Sequence, residues 1–259
     1  MKTSITIVDI FPDLLGTYGD GGNAQILQKR LQWRSFDAKV LSVSSRDKIP
    51  SGCDIYCLGG GEDAPQVKAN ELLKDTGVLE SEKQRGAVIF GVCAGFQILG
   101  KTFVANDEVQ EGLGLLDVDT FRSNKERAVG EILLRIDDIS SSFEAAIDKD
   151  LSNRLTFLTG YENHAGITSI GLGARHLGEV ILGIGNGVAF HGKLVDGAIS
   201  KKVIGTYLHG PVLARNPEFA DLILELAVGP LDSLGSRDIE MRSYRDERIQ
   251  TQLSAKRKM

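Results

Sequence analysis

Short apolar runs alternate with helix-period segments through the first hundred residues, the pattern of an α/β fold on a mostly parallel sheet. Residues 5–10 read as the first strand. A glycine-rich loop, Gly16-Thr17-Tyr18-Gly19-Asp20-Gly21-Gly22, follows, and then an amphipathic helix over about 23–33. Strands are expected at 38–43 and 54–58, one helix over about 64–83, and a strand at 87–92 that is apolar enough to be central. After about residue 102 shorter strands with turn signals take over, at 112–118 and 131–136, which predicts an antiparallel extension. Residues 203–208 return to a buried-strand pattern. Residues 217–228 form a helix with Asn216 as N-cap, Pro217 in the first turn and Gly229-Pro230 as terminator. The fold class is therefore α/β, a mostly parallel central sheet flanked by helices with a smaller antiparallel extension. Residues 1–230 are expected to form one domain. From Leu231 charge is high and periodicity weak, so 231–259 is expected to be a charged C-terminal extension, a peripheral helix or partly disordered.

Composition narrows the classes. At 259 residues the chain is long enough to bury a real core, and 42% hydrophobic with 25% charged is ordinary for a soluble globular protein. A net charge of −5 gives no reason to expect nucleic acid as a partner, and Lys256-Arg257-Lys258 reads as a solvated terminus. The first residues lack the apolar stretch and cleavage site of a signal peptide. No run of about 18 apolar residues is present, so no membrane span is expected. The three cysteines, Cys53, Cys57 and Cys93, have neither disulfide-framework nor zinc spacing, which points to a reducing cytoplasm. Cys53 and Cys57 read as buried structural thiols, and no metal site is expected.

The strongest chemical signal is Phe90-Gly91-Val92-Cys93-Ala94-Gly95-Phe96-Gln97, a hydrophobic strand running into Gly-x-Cys-x-Gly and then a helix. That is a nucleophile elbow with cysteine as nucleophile, its glycines admitting a tight turn. The turn sets the sulfur at a helix N-terminus, where backbone dipoles favour thiolate. A thiolate needs a base. His209, in Gly205-Thr206-Tyr207-Leu208-His209-Gly210-Pro211, directly follows an apolar strand and leads the four histidines. His164, in Gly160-Tyr161-Glu162-Asn163-His164, is the competitor, with neighbours that suggest a structural turn, while His176 and His191 read as solvated or packing side chains. For an oxyanion, the Ala94 N–H is one donor, and the glycine loop Gly59-Gly60-Gly61 offers the second, through Gly60 or Gly61.

Together Gly59-Gly60-Gly61, Gly-Val-Cys93-Ala-Gly-Phe-Gln97 and Gly-Thr-Tyr-Leu-His209-Gly resemble the class I glutamine amidotransferase family in its cobyric-acid-synthase-like branch, over about residues 5–229. Within the branch the chain looks most like the glutaminase subunits of lipid II isoglutaminyl synthases. Leu15-Gly16-Thr17-Tyr18-Gly19-Asp20, Tyr161-Glu162-Asn163-His164 and the length, with no synthetase domain before or after, carry that likeness. The resemblance implies that Cys93 forms a glutamyl thioester from L-glutamine and that His209 carries the proton to departing ammonia. It implies a Mur-ligase-like partner subunit, which holds ATP and Mg and amidates the D-glutamate α-carboxylate of lipid II. No cofactor is then expected in this chain. Arg127 matches the family's arginine that holds the substrate carboxylate, a task suited to a fixed guanidinium. Gln97 matches the family's glutamine one turn into the nucleophile helix, near substrate or the oxyanion loop.

One departure stands out. Many class I members follow the histidine with Pro and Glu, whereas His209 is followed by Gly210-Pro211. The expectation is a dyad, or an acid from elsewhere, with the partner subunit as its source. Three other readings compete: an amidotransferase of the same branch serving another amide ligase, for example in corrinoid amidation; a Cys-elbow hydrolase or peptidase; and a binding module that keeps only the fold.

Overall fold

The computed structural model describes residues 4–123, 126–137, 139–143 and 147–256. Lys125, Arg257 and Lys258 lie outside the described residues, as does the start of the N-terminal segment. The core is a six-stranded sheet in the spatial order Ala198–Ser200, Val203–Thr206, Val88–Val92, Ile55–Leu58, Ser4–Ile10, Asp37–Val43. Every neighbouring pair is parallel except the edge pair Ala198–Ser200 with Val203–Thr206. Three central strands, Ile55–Leu58, Val88–Val92 and Val203–Thr206, are buried at every residue, as expected of strands covered on both faces. Helices Gly22–Gln32 and Pro217–Val228 pack together, as do Asp63–Thr76 and Ala94–Leu99.

Two smaller sheets follow the nucleophile helix. One holds Gly166–Ile170, Val118–Arg122, Thr102–Ala105 and Glu108–Glu111; the other is antiparallel throughout and includes Ala128–Arg135 beside Phe157–His164. Among the described residues no helix is long and apolar enough to cross a membrane.

Three expectations need correction. The single helix over 64–83 is two, Asp63–Thr76 and Val78–Arg85, because Gly77 takes φ 58° and its N–H caps the Leu73 carbonyl. The strand expected at 112–118 begins only at Val118. The amides of Leu113, Gly114 and Leu116 instead bond the carbonyls of Ile98, Gly100 and Leu99, satisfying the end of the nucleophile helix. Asn216 is the N-cap residue of Pro217–Val228, but its side chain ties to Thr159 and Val212 and makes no cap bond to that helix.

Residues 236–256 form one helix, Ser236–Lys256, fastened to the core by buried charge. Arg30, fully buried, bonds Asp221 at 2.6 Å and Asp238 at 2.8 Å. Arg245 meets Glu218 on the helix Pro217–Val228.

Candidate active site

Four adjacent strands, Val203–Thr206, Val88–Val92, Ile55–Leu58 and Ser4–Ile10, each carry at or beyond their carboxyl end one part of the site. That edge, where the winding order reverses, is where open α/β sheets bind ligands.

After Val88–Val92 the chain turns at Cys93, with φ 51° and ψ −104°, into the helix Ala94–Leu99. This left-handed φ at a non-glycine residue is the strain of a nucleophile turn. Gly95 must be glycine, since a Cβ there would meet the Leu58 carbonyl oxygen at 2.6 Å. Cys93 keeps 8% exposure and lines a cavity of about 120 Å³ with Gly61, Ala94, Gln97, Arg127 and His164. Cys53 and Cys57 are buried elsewhere, and burial pushes both thiols up. Among the described residues no cluster of three or more His, Cys, Asp or Glu side chains could hold a metal.

His209 follows Val203–Thr206 and exchanges two backbone hydrogen bonds with Tyr161, at 2.8 and 3.2 Å. Its ring is fully buried, with the Tyr18 ring 4.8 Å away between centroids. Nδ1–H donates to Asp20 Oδ2 at 2.8 Å. Burial alone would lower the imidazole. The Asp20 hydrogen bond and the interaction with Cys93 outweigh it and lift His209 to about 10. Nε2 makes no hydrogen bond among the described residues, so it is left for proton transfer.

Asp20 is the functional residue that sequence reasoning missed. The expectation is a dyad, or an acid from elsewhere with the partner subunit as its source; the loop after the first strand places a carboxylate against His209 within the chain. The available signal was an aspartate in a glycine-rich loop at the same sheet edge as the elbow. Asp20 Oδ2 also accepts the Gly60 N–H at 2.9 Å. Gly60 therefore leaves the oxyanion set, its amide being spent on the acid, while Ala94 and Gly61 line the Cys93 cavity. Gly60 has another task. A Cβ there would lie 2.6 Å from His209 Cε1 and 3.2 Å from Asp20 Oδ2, so only glycine lets acid and imidazole meet.

Arg127 lines the cavity. It bonds Asn163 twice, Nε to the side-chain oxygen and Nη2 to the carbonyl, the latter at 3.2 Å. Asn163 in turn donates to the Tyr18 hydroxyl, and its carbonyl oxygen lies 3.9 Å from the Cys93 sulfur. Gln97 lines the cavity too, but its amide is engaged: Oε1 accepts from Gln66 at 2.8 Å and Nε2 donates to the Tyr207 hydroxyl at 3.0 Å. His164 is a wall of the cavity, stacked on Tyr207 at 3.8 Å with Nδ1 bonded to the Gly166 carbonyl at 2.9 Å. His176 and His191 line a separate cavity, and burial lowers His176.

A buried carboxylate bonded to a buried imidazole that interacts with Cys93, and the Cys93 thiol at the cavity, are the parts needed for acyl transfer through a thioester. Known proteins agree with that chemistry. Residues 6–217 match the CobB/CobQ-like glutamine amidotransferase domain. The chain is 33% identical over 226 residues to the GatD subunit of lipid II isoglutaminyl synthase (glutamine-hydrolyzing) from Staphylococcus aureus, covering 86% of this chain and 84% of that one. Its identity to the GatD subunit from Streptococcus pneumoniae is 30% over 245 residues, 93% of this chain and 86% of that one. A solved glutamine amidotransferase superposes with a TM-score of 0.56 at 21% identity, over 85% of this chain and 98% of its own, and that likeness bears on the fold alone. The chain belongs to the CobB/CobQ-like glutamine amidotransferase family.

Proposed function

We infer that this chain is the glutaminase subunit of a lipid II isoglutaminyl synthase and works in the cytoplasm with a Mur-ligase-like, MurT-type partner. The hydrogen bond from His209 to Asp20 carries the chemical part of this reading, because it holds the Nδ1 side of a protonated imidazole and leaves Nε2 without a hydrogen-bond partner among the described residues. The choice of acceptor is supported by similarity to GatD subunits over most of both chains.

In this mechanism the Cys93 thiolate attacks the side-chain amide carbon of L-glutamine. The oxygen takes up negative charge facing the Ala94 and Gly61 amides. His209 gives its Nε2 proton to the amide nitrogen as the carbon–nitrogen bond breaks, so ammonia leaves and a glutamyl thioester remains. Water then attacks the thioester, His209 removes its proton, and glutamate and the Cys93 thiolate are restored. Asp20 keeps Nδ1 as the donor side throughout, which leaves Nε2 for the transfers. Ammonia passes to the partner, which activates the acceptor carboxylate with its own ATP and Mg.

Arg127 is assigned to the glutamine α-carboxylate and Gln97 to the wall beside it. Hydrogen bonds to a charged group contribute about 1.5–3 kcal/mol. Arg127→Ala should then raise KM for glutamine roughly 10- to 100-fold with kcat nearly unchanged. An unchanged KM would return Arg127 to bracing Asn163. For the acceptor, the chain is co-expressed with a Mur-ligase-like subunit, and the purified complex is given glutamine, ATP, Mg and lipid II. Glutamine-dependent amidation of the stem peptide is expected. A complex that amidates a corrinoid acid and leaves lipid II untouched would transfer the assignment to another ligase.

A further inference from the structure

Three donors converge on one carboxylate beside the histidine loop. Glu131, in the strand Ala128–Arg135, accepts from Arg215 at 3.2 Å, Arg248 at 2.9 Å and Gln252 at 2.9 Å. Arg248 and Gln252 lie one turn apart on the C-terminal helix, beyond the residues that match the amidotransferase domain. Arg215 also donates from Nε at 3.2 Å to the carbonyl of Gly210, the residue immediately after His209.

Glu131 also approaches the histidine through the backbone of its strand. Glu131 is the register partner of Tyr161, and Tyr161 is the residue that exchanges two backbone hydrogen bonds with His209. Gly210 takes φ 113°, a conformation with few restraints of its own, and Arg215 packs across it: a Cβ on Gly210 would meet the guanidinium at 3.0 Å. The helix does not need Glu131 for attachment, since Arg30 and Arg245 already bind it through buried ion pairs. Ion pairs as exposed as Arg248–Glu131, at 44% and 37%, add little to stability. Their geometry answers a different need.

We propose that Glu131 is a positioning residue for His209, holding Arg215 over the Gly210 pivot, with the C-terminal helix fixing Glu131 through Arg248 and Gln252. This rests on His209 being the proton carrier of the proposed glutaminase. It is tested in the full chain by steady-state glutamine hydrolysis, since an ångström of misplacement in a proton carrier is enough to cost on the order of 10- to 100-fold. Glu131→Ala should lower kcat about 10-fold or more with KM within about twofold, and should slow Cys93 labelling by a thiol-directed glutamine analogue in parallel. Glu131→Gln keeps an acceptor oxygen and should retain most of kcat. Arg215→Ala should fall as far as Glu131→Ala, and the double variant no further. Arg248→Ala, on an exposed helix face, should lose a few-fold in kcat with an unchanged melting temperature. Full kcat in Glu131→Ala, equal loss in its Ala and Gln variants, or a KM effect alone would overturn the proposal. A parent chain that hydrolyses no glutamine, alone or with a ligase subunit, would instead remove the underlying glutaminase reading.

Discussion

Replacing Cys93 with alanine should reduce glutamine hydrolysis roughly 10⁴- to 10⁶-fold, the scale on which removal of a covalent nucleophile acts when its base depends on it. The two groups are coupled: the interaction with Cys93 is one of the causes that keep His209 protonated, so losing the sulfur removes both the attacking atom and part of the reason for the proton. The fold should be indifferent. Cys93 lies on a turn at a cavity wall, outside the strand and helix it joins, and alanine meets the same φ of 51° with a similar side-chain constraint. A change of no more than about 1 kcal/mol in unfolding free energy is expected. Released ammonia and circular dichroism measured on one preparation separate the two effects. Near-parental ammonia release with intact folding would mean that another residue attacks. A glutamine analogue adds an independent test, because Cys53 and Cys57 are buried with thiols pushed up by burial, and the adduct should sit on Cys93 alone.

The parts of this site that are legible in the sequence are the ones encoded locally. Val88–Val92, the Cys93 turn and the helix from Ala94 form one continuous stretch, so strand, strain and helix start are all visible in neighbouring residues. His209 is nearly as legible, because it follows a run whose apolar continuity marks a central strand. Asp20 is not. It meets His209 across 189 residues, and the loop that holds it must pass beside the glycine loop after the third strand before the two touch. Nothing in Gly16–Gly22 distinguishes a turn aspartate from a buried acid until the sheet order places the first strand two positions from the nucleophile strand. The same limit explains Gly60. In sequence it is one of three glycines able to turn an amide into the site, whereas in space it is the point where imidazole and carboxylate leave room for no side chain. Gly77 and residues 112–117 fail for a local reason. Helix-period and alternation patterns pass through both, and a left-handed glycine and the unmet carbonyls of a neighbouring helix decide them. The C-terminal helix shows weak periodicity because charge pairs attach it more than an apolar stripe does.

Asp20→Asn should lower kcat by about 10²-fold or more and move the alkaline limit of activity to lower pH. The sign follows from the direction of the shift. His209 is raised from its ordinary value near 6.5 to about 10, so the protonated ring is favoured in the folded chain. Its contribution to stability is fully present below pH 6.5 and is lost as pH rises through about 10. The proton that departing ammonia needs is therefore on His209 through the neutral and mildly alkaline range, and kcat/KM of the parent should fall only toward pH 10. Asparagine removes the negative charge that helps hold this proton. If its amide oxygen takes the place of Oδ2, it still accepts from His209 and Gly60. Its NH₂ then occupies the place of Oδ1, which is buried with no partner among the described residues, at a cost of about 1–3 kcal/mol. Glycine-loop geometry survives in that variant while the electrostatics do not, so a lower plateau together with an earlier alkaline fall separates charge from shape. The parent profile also bears on the origin of the acid. A chain that carries Asp20 against His209 has its own carboxylate beside the imidazole, and the isolated chain should show the same alkaline limit as a complex with the proposed ligase partner. An Asp20→Asn variant with parental plateau and parental limit, in a chain whose hydrolysis rises steeply only when the partner binds, would mean that the acid acting on His209 comes from the other subunit.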